Sequence, residues 1–337
     1  MKGAGAFLLI AGAMRAQQSA VDPAGPEAHR ILSVGTVFAG LLAGIFILVA
    51  GLLLAALFRK HPDSQPEPLE LPNQLAQVTE HRLVKVVGAA TGTTILILFG
   101  LVVLSVSAGR STSRIAEGGN NLTVEVTGSQ WWWHIRYLNS DPSQVFVTAN
   151  EIHIPVGRPV VIRGTSHDVI HSFWVPNLQG KRDLIPTRVT TLTIRASRPG
   201  QYRGQCAEFC GLQHAHMALW IVAEPEAEFQ AWMARQLQPA TDPSDPTAQR
   251  GRQVFMEHAC TYCHAIQGTT AQGQAGPDLT HFGSRLTIAA GTLRNNRGNL
   301  GGWLVDPQNI KPGTHMATIA LDTEDLQPLL EYLESLR

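Results

Sequence analysis

Cys206-Ala-Glu-Phe-Cys210-Gly-Leu-Gln-His214-Ala-His-Met217 places two thiols, an imidazole and a thioether on one short stretch. Soft sulfur and imidazole donors select copper, zinc or iron clusters. A mononuclear blue-copper centre uses one Cys, two His and a long axial Met, which would leave one of these two thiolates idle. Two thiolates can instead bridge two copper ions, each capped by an imidazole. That arrangement needs a second His. Asp168-Val-Ile-His171-Ser-Phe-Trp-Val-Pro176, read as a loop upstream, offers His171. A Cys206–Cys210 disulfide is the plain alternative, and it explains neither His214 nor Met217.

The sequence around this stretch has a period of two. Leu122–Thr127, Val145–Val147, Glu151–Ile154, Val160–Ile162, Val189–Ile194 and Ala218–Val222 read as short strands punctuated by Gly and Pro. Several short strands with turn signals predict a β-sandwich or barrel. The Cys-rich stretch lies between the last two of them. A helix is expected from Pro225 to Gln238, followed by the stiff linker Pro239-Ala-Thr-Asp-Pro-Ser-Asp-Pro246.

Toward the N-terminus the composition changes. The 337 residues carry only 15% charged side chains, a net charge of +0 and a mean hydropathy of +0.01. This charge balance gives no indication of a nucleic-acid partner, and none is expected. The apolar excess is concentrated near the start. Residues 1–20 resemble a secretory signal peptide. Ile31–Phe58 and Val86–Ala108 contain no charge, and a membrane helix needs ~20 such residues. We therefore expect transmembrane helices over 31–58 and 84–108, joined by a polar, Pro-rich loop from His61 to Thr79. Flanking charges orient them only weakly: Arg59, Lys60, Arg82 and Lys85 lie on one side and Arg30, Arg110 and Arg114 on the other.

A second redox motif follows the linker. Cys260-Thr-Tyr-Cys263-His264 is the C-x-x-C-H signature of c-type haem attachment. No further Cys pair or well-spaced His supports a zinc reading. Thr247–Glu257 looks helical, Gly276-Pro277-Asp278-Leu279 and Lys311-Pro-Gly-Thr-His-Met316 follow, and an amphipathic helix runs from Glu324 to Leu336. Covalent haem attachment takes place outside the cytoplasm, so everything after Arg110 belongs on the periplasmic or outer side. Two spans with both ends outside satisfy this. Since each Cys pair has its own metal or haem motif, no disulfide is expected.

The Cys-rich stretch resembles the dinuclear copper (CuA) loop of cytochrome c oxidase subunit II, C-x-E-x-C-G-x-x-H-x-x-M. The haem segment resembles a small class I cytochrome c over its full length. Together the resemblances cover roughly residues 30–337. They imply two transmembrane α-helices, then an all-β cupredoxin-like sandwich over 115–225, a helix and linker over 226–246, and an all-α cytochrome c domain over 247–337. They also imply two coppers per chain bridged by Cys206 and Cys210. His171 and His214 would be terminal ligands, Met217 a weak axial ligand, and Glu208 a ligand through its carbonyl, its side chain facing a shared magnesium site. One covalent haem c would take His264 and Met316 as axial ligands, with the Pro277 carbonyl behind His264 and His315 the rival to Met316. Met256, His258 and His281 are read as structural or surface residues.

Gly128-Ser-Gln130-Trp131-Trp132-Trp133 resembles the family's aromatic segment. This makes Trp131 the surface residue that receives electrons for copper, and Trp132 and Trp133 packing residues. Lys181–Arg188 would face the partner subunit. Glu80 could match a proton-uptake acid of some family members, but its surroundings fit poorly and it reads as a helix-start acid. The implied function is that of an electron-transfer subunit of a respiratory haem-copper oxidase in a bacterial inner membrane, with electrons passing from an external cytochrome c or other donor to haem, to copper, and to subunit I. Subunit III and membrane lipid are expected partners. A copper-binding assembly protein without turnover is the alternative, and it would have no reason to carry haem. A nitrous oxide reductase would need a further His-rich domain, and a quinol oxidase subunit would lack the copper ligands.

Overall fold

The computed structural model describes residues 18–59, 73–113 and 121–337. Most of the expected signal peptide and of the Pro-rich loop lies outside these residues. Two long helices, α1 (Pro26–Phe58) and α2 (Asn73–Ser113), are apolar and long enough to cross a membrane over Pro26–Phe58 and Glu80–Arg110. Phe46, Leu53, Leu96 and Phe99 point outward from them. A row of outward apolar side chains on a helix with satisfied backbone suits lipid, not water.

Two expectations change here. The helical backbone of α2 begins at Asn73, so the end of the expected loop is helical. Glu80 therefore lies two turns inside α2 and not at its start. The helix-dipole argument does not reach it, because that effect fades within the first turn.

The β-domain is a sandwich of two five-stranded sheets. The first has the order β3 (Phe146–Ala149), β2 (Trp132–Leu138), β1 (Leu122–Ser129), β5 (Val160–Ser166), β8 (Thr190–Ile194). The second runs β4 (Glu151–Pro155), β10 (Ala218–Glu224), β9 (Gly200–Cys206), β6 (His171–Trp174), β7 (Arg182–Leu184). Alternation sets the inner face: Val124 and Val126 of β1 and Trp133, Ile135 and Tyr137 of β2 are buried. The sequence reading missed β2, β6, β7 and β9. His171 accordingly sits on a strand, not in a loop. β10 is buried almost throughout, because the sandwich core covers one face and the C-terminal domain meets its start, where Ala218 N–H donates to the Ala290 carbonyl at 2.9 Å.

α3 (Glu226–Gln236) closes one end of the sandwich with Phe229 and Trp232, the latter packed on Tyr137 and Phe146. Residues just before α1 also lie on the sandwich. Ser19 N–H donates to Asn177 Oδ1 at 2.9 Å, and Ala24 pairs with Asn177 and Ser197 through its backbone.

The C-terminal domain is mainly helical. It contains α4 (Pro246–Glu257), α5 (Cys260–Cys263), a two-stranded ribbon of β11 (Thr287–Ile288) and β12 (Leu293–Arg294), α6 (Arg297–Val305), α7 (Pro307–Ile310) and α8 (Thr323–Ser335). Asp245 caps α4 by accepting from Thr247 and Ala248 N–H at 2.8 and 3.0 Å, with Pro246 at the first helical position. α4 and α8 pack closely because Gly251 lacks a Cβ, which would run into the Pro328 carbonyl. The Pro-rich linker is held down as well: Ala240 N–H donates to the Gln267 carbonyl, and His281 Nε2 meets the Gln238 carbonyl at 3.1 Å.

Candidate metal and haem centres

β6 and β9 are antiparallel neighbours, with Phe173 opposite Cys206. That pairing brings His171 to the loop leaving β9. Its Nδ1 is 3.8 Å from Cys206 Sγ, and its Nε2 is 2.8 Å from Asp168 Oδ1. Asp168 fixes the ring and leaves Nδ1 for a metal, the usual second-layer arrangement around a ligating imidazole. Gly128 makes room, since a Cβ there would come 2.7 Å from His171 Cδ2.

The remaining donors follow as one chain of contacts. Cys206 Sγ lies 3.2 Å from the Glu208 carbonyl oxygen and 3.8 Å from Cys210 Sγ. Cys210 Sγ lies 3.6 Å from His214 Nδ1 and 3.9 Å from Met217 Sδ. The two imidazoles thus approach different sulfurs. Donor atoms of His171, Cys206 and Cys210 all fall within 4.8 Å of one another, and both cysteines are free thiols.

The electrostatics of this pair favour a cation. The Cys210 thiol hydrogen-bonds toward Cys206 and pulls its pKa down; burial opposes this and His171 assists. Cys210 is pushed up, chiefly by its neighbour Cys206 and then by burial. Two buried thiols this close resist joint ionisation unless metal ions compensate them. With two imidazoles, a thioether and a carbonyl around them, the set fits copper. Burial pulls the His171 pKa down, but its contacts with Cys206 and Asp168 more than offset that.

Trp131 is joined to this loop. Trp131 Nε1 and Gln130 Nε2 both donate to the Cys210 carbonyl, at 3.0 and 2.7 Å. Gly211, with φ +113°, allows the approach: a Cβ would sit 3.1 Å from Trp131 Cζ2. Trp131 is only 6% exposed. The expected surface residue is therefore covered, and its cover is the C-terminal domain. Trp133 is buried in the sandwich, whereas Trp132 lines the cavity described next.

In that domain a cavity of about 340 Å³ is walled mainly by apolar side chains and includes Cys260, Cys263, His264 and Met316. His264 Nδ1 is 2.7 Å from the Pro277 carbonyl, which leaves Nε2 for iron. A Cβ on Gly276 would meet His264 Cε1 at 2.7 Å. Burial lowers the His264 pKa, with the Pro277 carbonyl opposing, so the imidazole stays in its neutral, ligating form. Met316 packs against the domain's apolar core, while His315 is exposed and its ring lies 6.3 Å from that of Trp131. Two thiols, an imidazole and a thioether around an apolar cavity fit a c-type haem.

Sequence reasoning missed three polar contributors. Arg285 lines the cavity and is half-buried; its Nη2 donates to the Asp278 carbonyl, while its enclosed Nε has no hydrogen-bond partner. A guanidinium with a donor to spare beside a haem cavity suits the carboxylates of the haem. Lys311 is 2% exposed, and burial pushes its amine down to about 7, with Cys210 pulling the other way. His153 is held between Glu151 (3.0 Å) and Glu224 (3.2 Å) and stacks on Trp232. Burial pulls its pKa down, but the two carboxylates outweigh that and raise it. Among the residues read as structural, His258 Nδ1 is 2.9 Å from the Val254 carbonyl at the end of α4, and His281 anchors the linker.

A sulfur- and imidazole-rich β-sandwich followed by a haem-type helical domain, both carried on apolar helices, defines a membrane-anchored redox protein. The family model for the cytochrome c oxidase subunit II periplasmic domain matches residues 137–224, and that for cytochrome c matches residues 248–337. Cytochrome c oxidase subunit 2 of Alkalihalophilus pseudofirmus is 35% identical over 329 residues, spanning 95% of this chain and 91% of that protein. Cytochrome c oxidase subunit 2 of Bacillus sp. strain PS3 is 31% identical over 266 residues, 72% of this chain and 73% of its own. The crystal structure of the periplasmic domain of subunit II of cytochrome oxidase of Bradyrhizobium japonicum aligns with 31% identity and a TM-score of 0.32, covering 34% of this chain and 92% of that one. The chain belongs to the cytochrome c oxidase subunit II family. It is a membrane-anchored electron-transfer subunit with an extracytoplasmic domain, works with other oxidase subunits, and uses copper and haem c.

Proposed function

We propose that this chain is the electron-receiving subunit of a bacterial haem-copper oxidase, anchored in the inner membrane with its copper and haem domains on the periplasmic side. When bound, the haem and a pair of copper ions supply one-electron redox chemistry, so that an electron from an external cytochrome c or other donor reaches the haem, then copper, then the oxygen-reducing subunit I.

The chain's own residues do the holding. Cys260 and Cys263 would anchor the haem, and His264 and Met316 would bind its iron, with the Pro277 carbonyl orienting His264. Cys206 and Cys210 would hold copper through their thiolates. His171, His214, Met217 and the Glu208 carbonyl complete the set. The Glu208 carboxylate and Lys181–Arg188 face subunit I, where the carboxylate shares a magnesium site. Subunit III and lipid complete the surroundings. The domains divide at 115–225, 226–246 and 247–337, with both ends of the membrane pair outside.

One observation carries the reading. Trp131 donates to the carbonyl of the copper ligand Cys210 and lies under the segment that ends in the haem ligand Met316. A single side chain therefore joins the two sites. Copper and haem counts with a paramagnetic resonance spectrum of the purified complex test it. Two coppers sharing one unpaired electron and one haem c per chain are expected. A single copper with a mononuclear pattern would contradict it.

A further inference from the structure

Lys311 places a buried amine at the boundary between the two redox domains. Its Nζ donates to the Trp131 carbonyl at 2.7 Å and to the Ala289 carbonyl at 3.2 Å. The first acceptor belongs to the copper domain and the second to the haem domain. The next residue repeats the link: the Pro312 carbonyl accepts from Gln213 Nε2, on the copper loop, at 2.6 Å. Gly313 follows with φ +82°, and a Cβ there would sit 3.1 Å from Leu212 Cδ1 and 3.8 Å from the Trp131 ring. His315 then meets the Trp131 ring, and Met316 turns back into the haem domain, its carbonyl accepting from Gln308 Nε2 at 2.8 Å.

Six consecutive residues therefore grip the copper loop and Trp131 at one end and bear a proposed haem ligand at the other. Space-filling does not explain a lysine here. An apolar side chain of the same length would fill the site without the unfavourable burial of a charge. What lysine adds is a directed donor that spans two domains, satisfying one carbonyl in each.

We propose that Lys311 is a positioning residue that locks the haem domain onto Trp131 in one fixed arrangement for electron transfer and closes the Trp131 surface to diffusing donors. This rests on the haem-to-copper route given above. The lock makes haem-to-copper transfer independent of domain motion. Without it the domains remain tethered by the linker but must find each other before each transfer.

The test uses the full oxidase complex with Lys311→Met, which keeps the length of the side chain and removes its donor. Haem and copper spectra are expected to be unchanged. Hydrogen exchange at residues 129–132 and 311–316 should rise about 10- to 100-fold, the range set by losing two hydrogen bonds together. The haem-to-copper step, followed by rapid mixing, should slow by a similar factor and become slower in viscous solvent, whereas the unmodified complex shows no viscosity dependence. Gln213→Met removes the neighbouring neutral link and should give the same changes at roughly two- to tenfold. It decides the matter if Lys311→Met does not take up haem. Unmodified exchange and a viscosity-independent rate in these variants would overturn the lock. If copper in the unmodified complex is reduced before haem, the route fails instead, and the exchange measurement still judges the lock by itself.

Discussion

The copper and haem sites use similar donors, thiols, imidazole and thioether, but they are built in opposite ways. Five of the six proposed copper donors come from twelve consecutive residues, and a β-sheet supplies the sixth, His171, with Asp168 behind its ring. All of them are already gathered within contact distance of the two sulfurs. The haem site is a cavity whose donors are far apart in sequence, from Cys260 to Met316, and whose wall includes Trp131, Trp132 and Asn150 of the other domain. A paired sheet with fixed register can preset a small metal site. Short helices around a large ligand cannot do so, and the proposed covalent links through Cys260 and Cys263 would compensate. The haem site is thus shared between domains and the copper site is not.

Substitutions can sharpen that contrast. The largest effect is expected from Cys206→Ser or Cys210→Ser, each of which removes a thiolate from the proposed copper set and should abolish copper binding while leaving haem attachment in place, as read by metal analysis and the haem spectrum. Met316→Ala should do the converse. Haem stays attached through Cys260, Cys263 and His264, but its reduction potential falls, because a Met/His pair raises it; redox titration measures this, and the copper signal should not move. Asp168→Asn weakens the support of His171 and should reduce copper affinity about 10- to 100-fold, read by competition with a chelator. Gly276→Ala pushes a methyl group against His264 and should cost about 1–3 kcal/mol, seen as a lower melting temperature of the haem domain alone.

The smallest effect is pH dependence at the domain boundary. Glu151 Oε2 accepts from the Leu286 N–H of the haem domain at 2.9 Å while Oε1 holds His153. The raised folded-state pKa of His153 means that its stabilising contribution is complete below the unfolded value of about 6.5 and is lost as pH rises through the folded value. Hydrogen exchange at Leu286, corrected for intrinsic rates, should show protection falling over that window. In His153→Gln the dependence should flatten, and an unchanged slope would remove His153 from the account.

Much of this was legible in the sequence because the chemistry is written locally. The copper loop, the C-x-x-C-H motif and the two apolar runs each decide their own reading within a few dozen residues. The errors arose where long-range pairing decides. His171 was read in a loop because β6 is only four residues long and takes its identity from pairing with β9 and β7. β2 was hidden inside the Trp131-Trp-Trp133 run, where aromatic residues mask the alternation. Trp131 was expected at the surface, since nothing in sequence tells whether a tethered domain docks. Lys311, Arg285 and His153 gave no signal, because a lone charged residue is ordinarily solvated and only the fold reveals its burial.

The order of reduction decides whether the haem domain is the point of electron entry. The intact complex is mixed rapidly with its donor under anaerobic conditions, and the haem and copper absorptions are followed in time. Haem is expected to be reduced first and copper second, and a chain ending at Gln238 to oxidise the same donor much more slowly. Copper reduced before haem, or undiminished donor oxidation by the shortened chain, would contradict it.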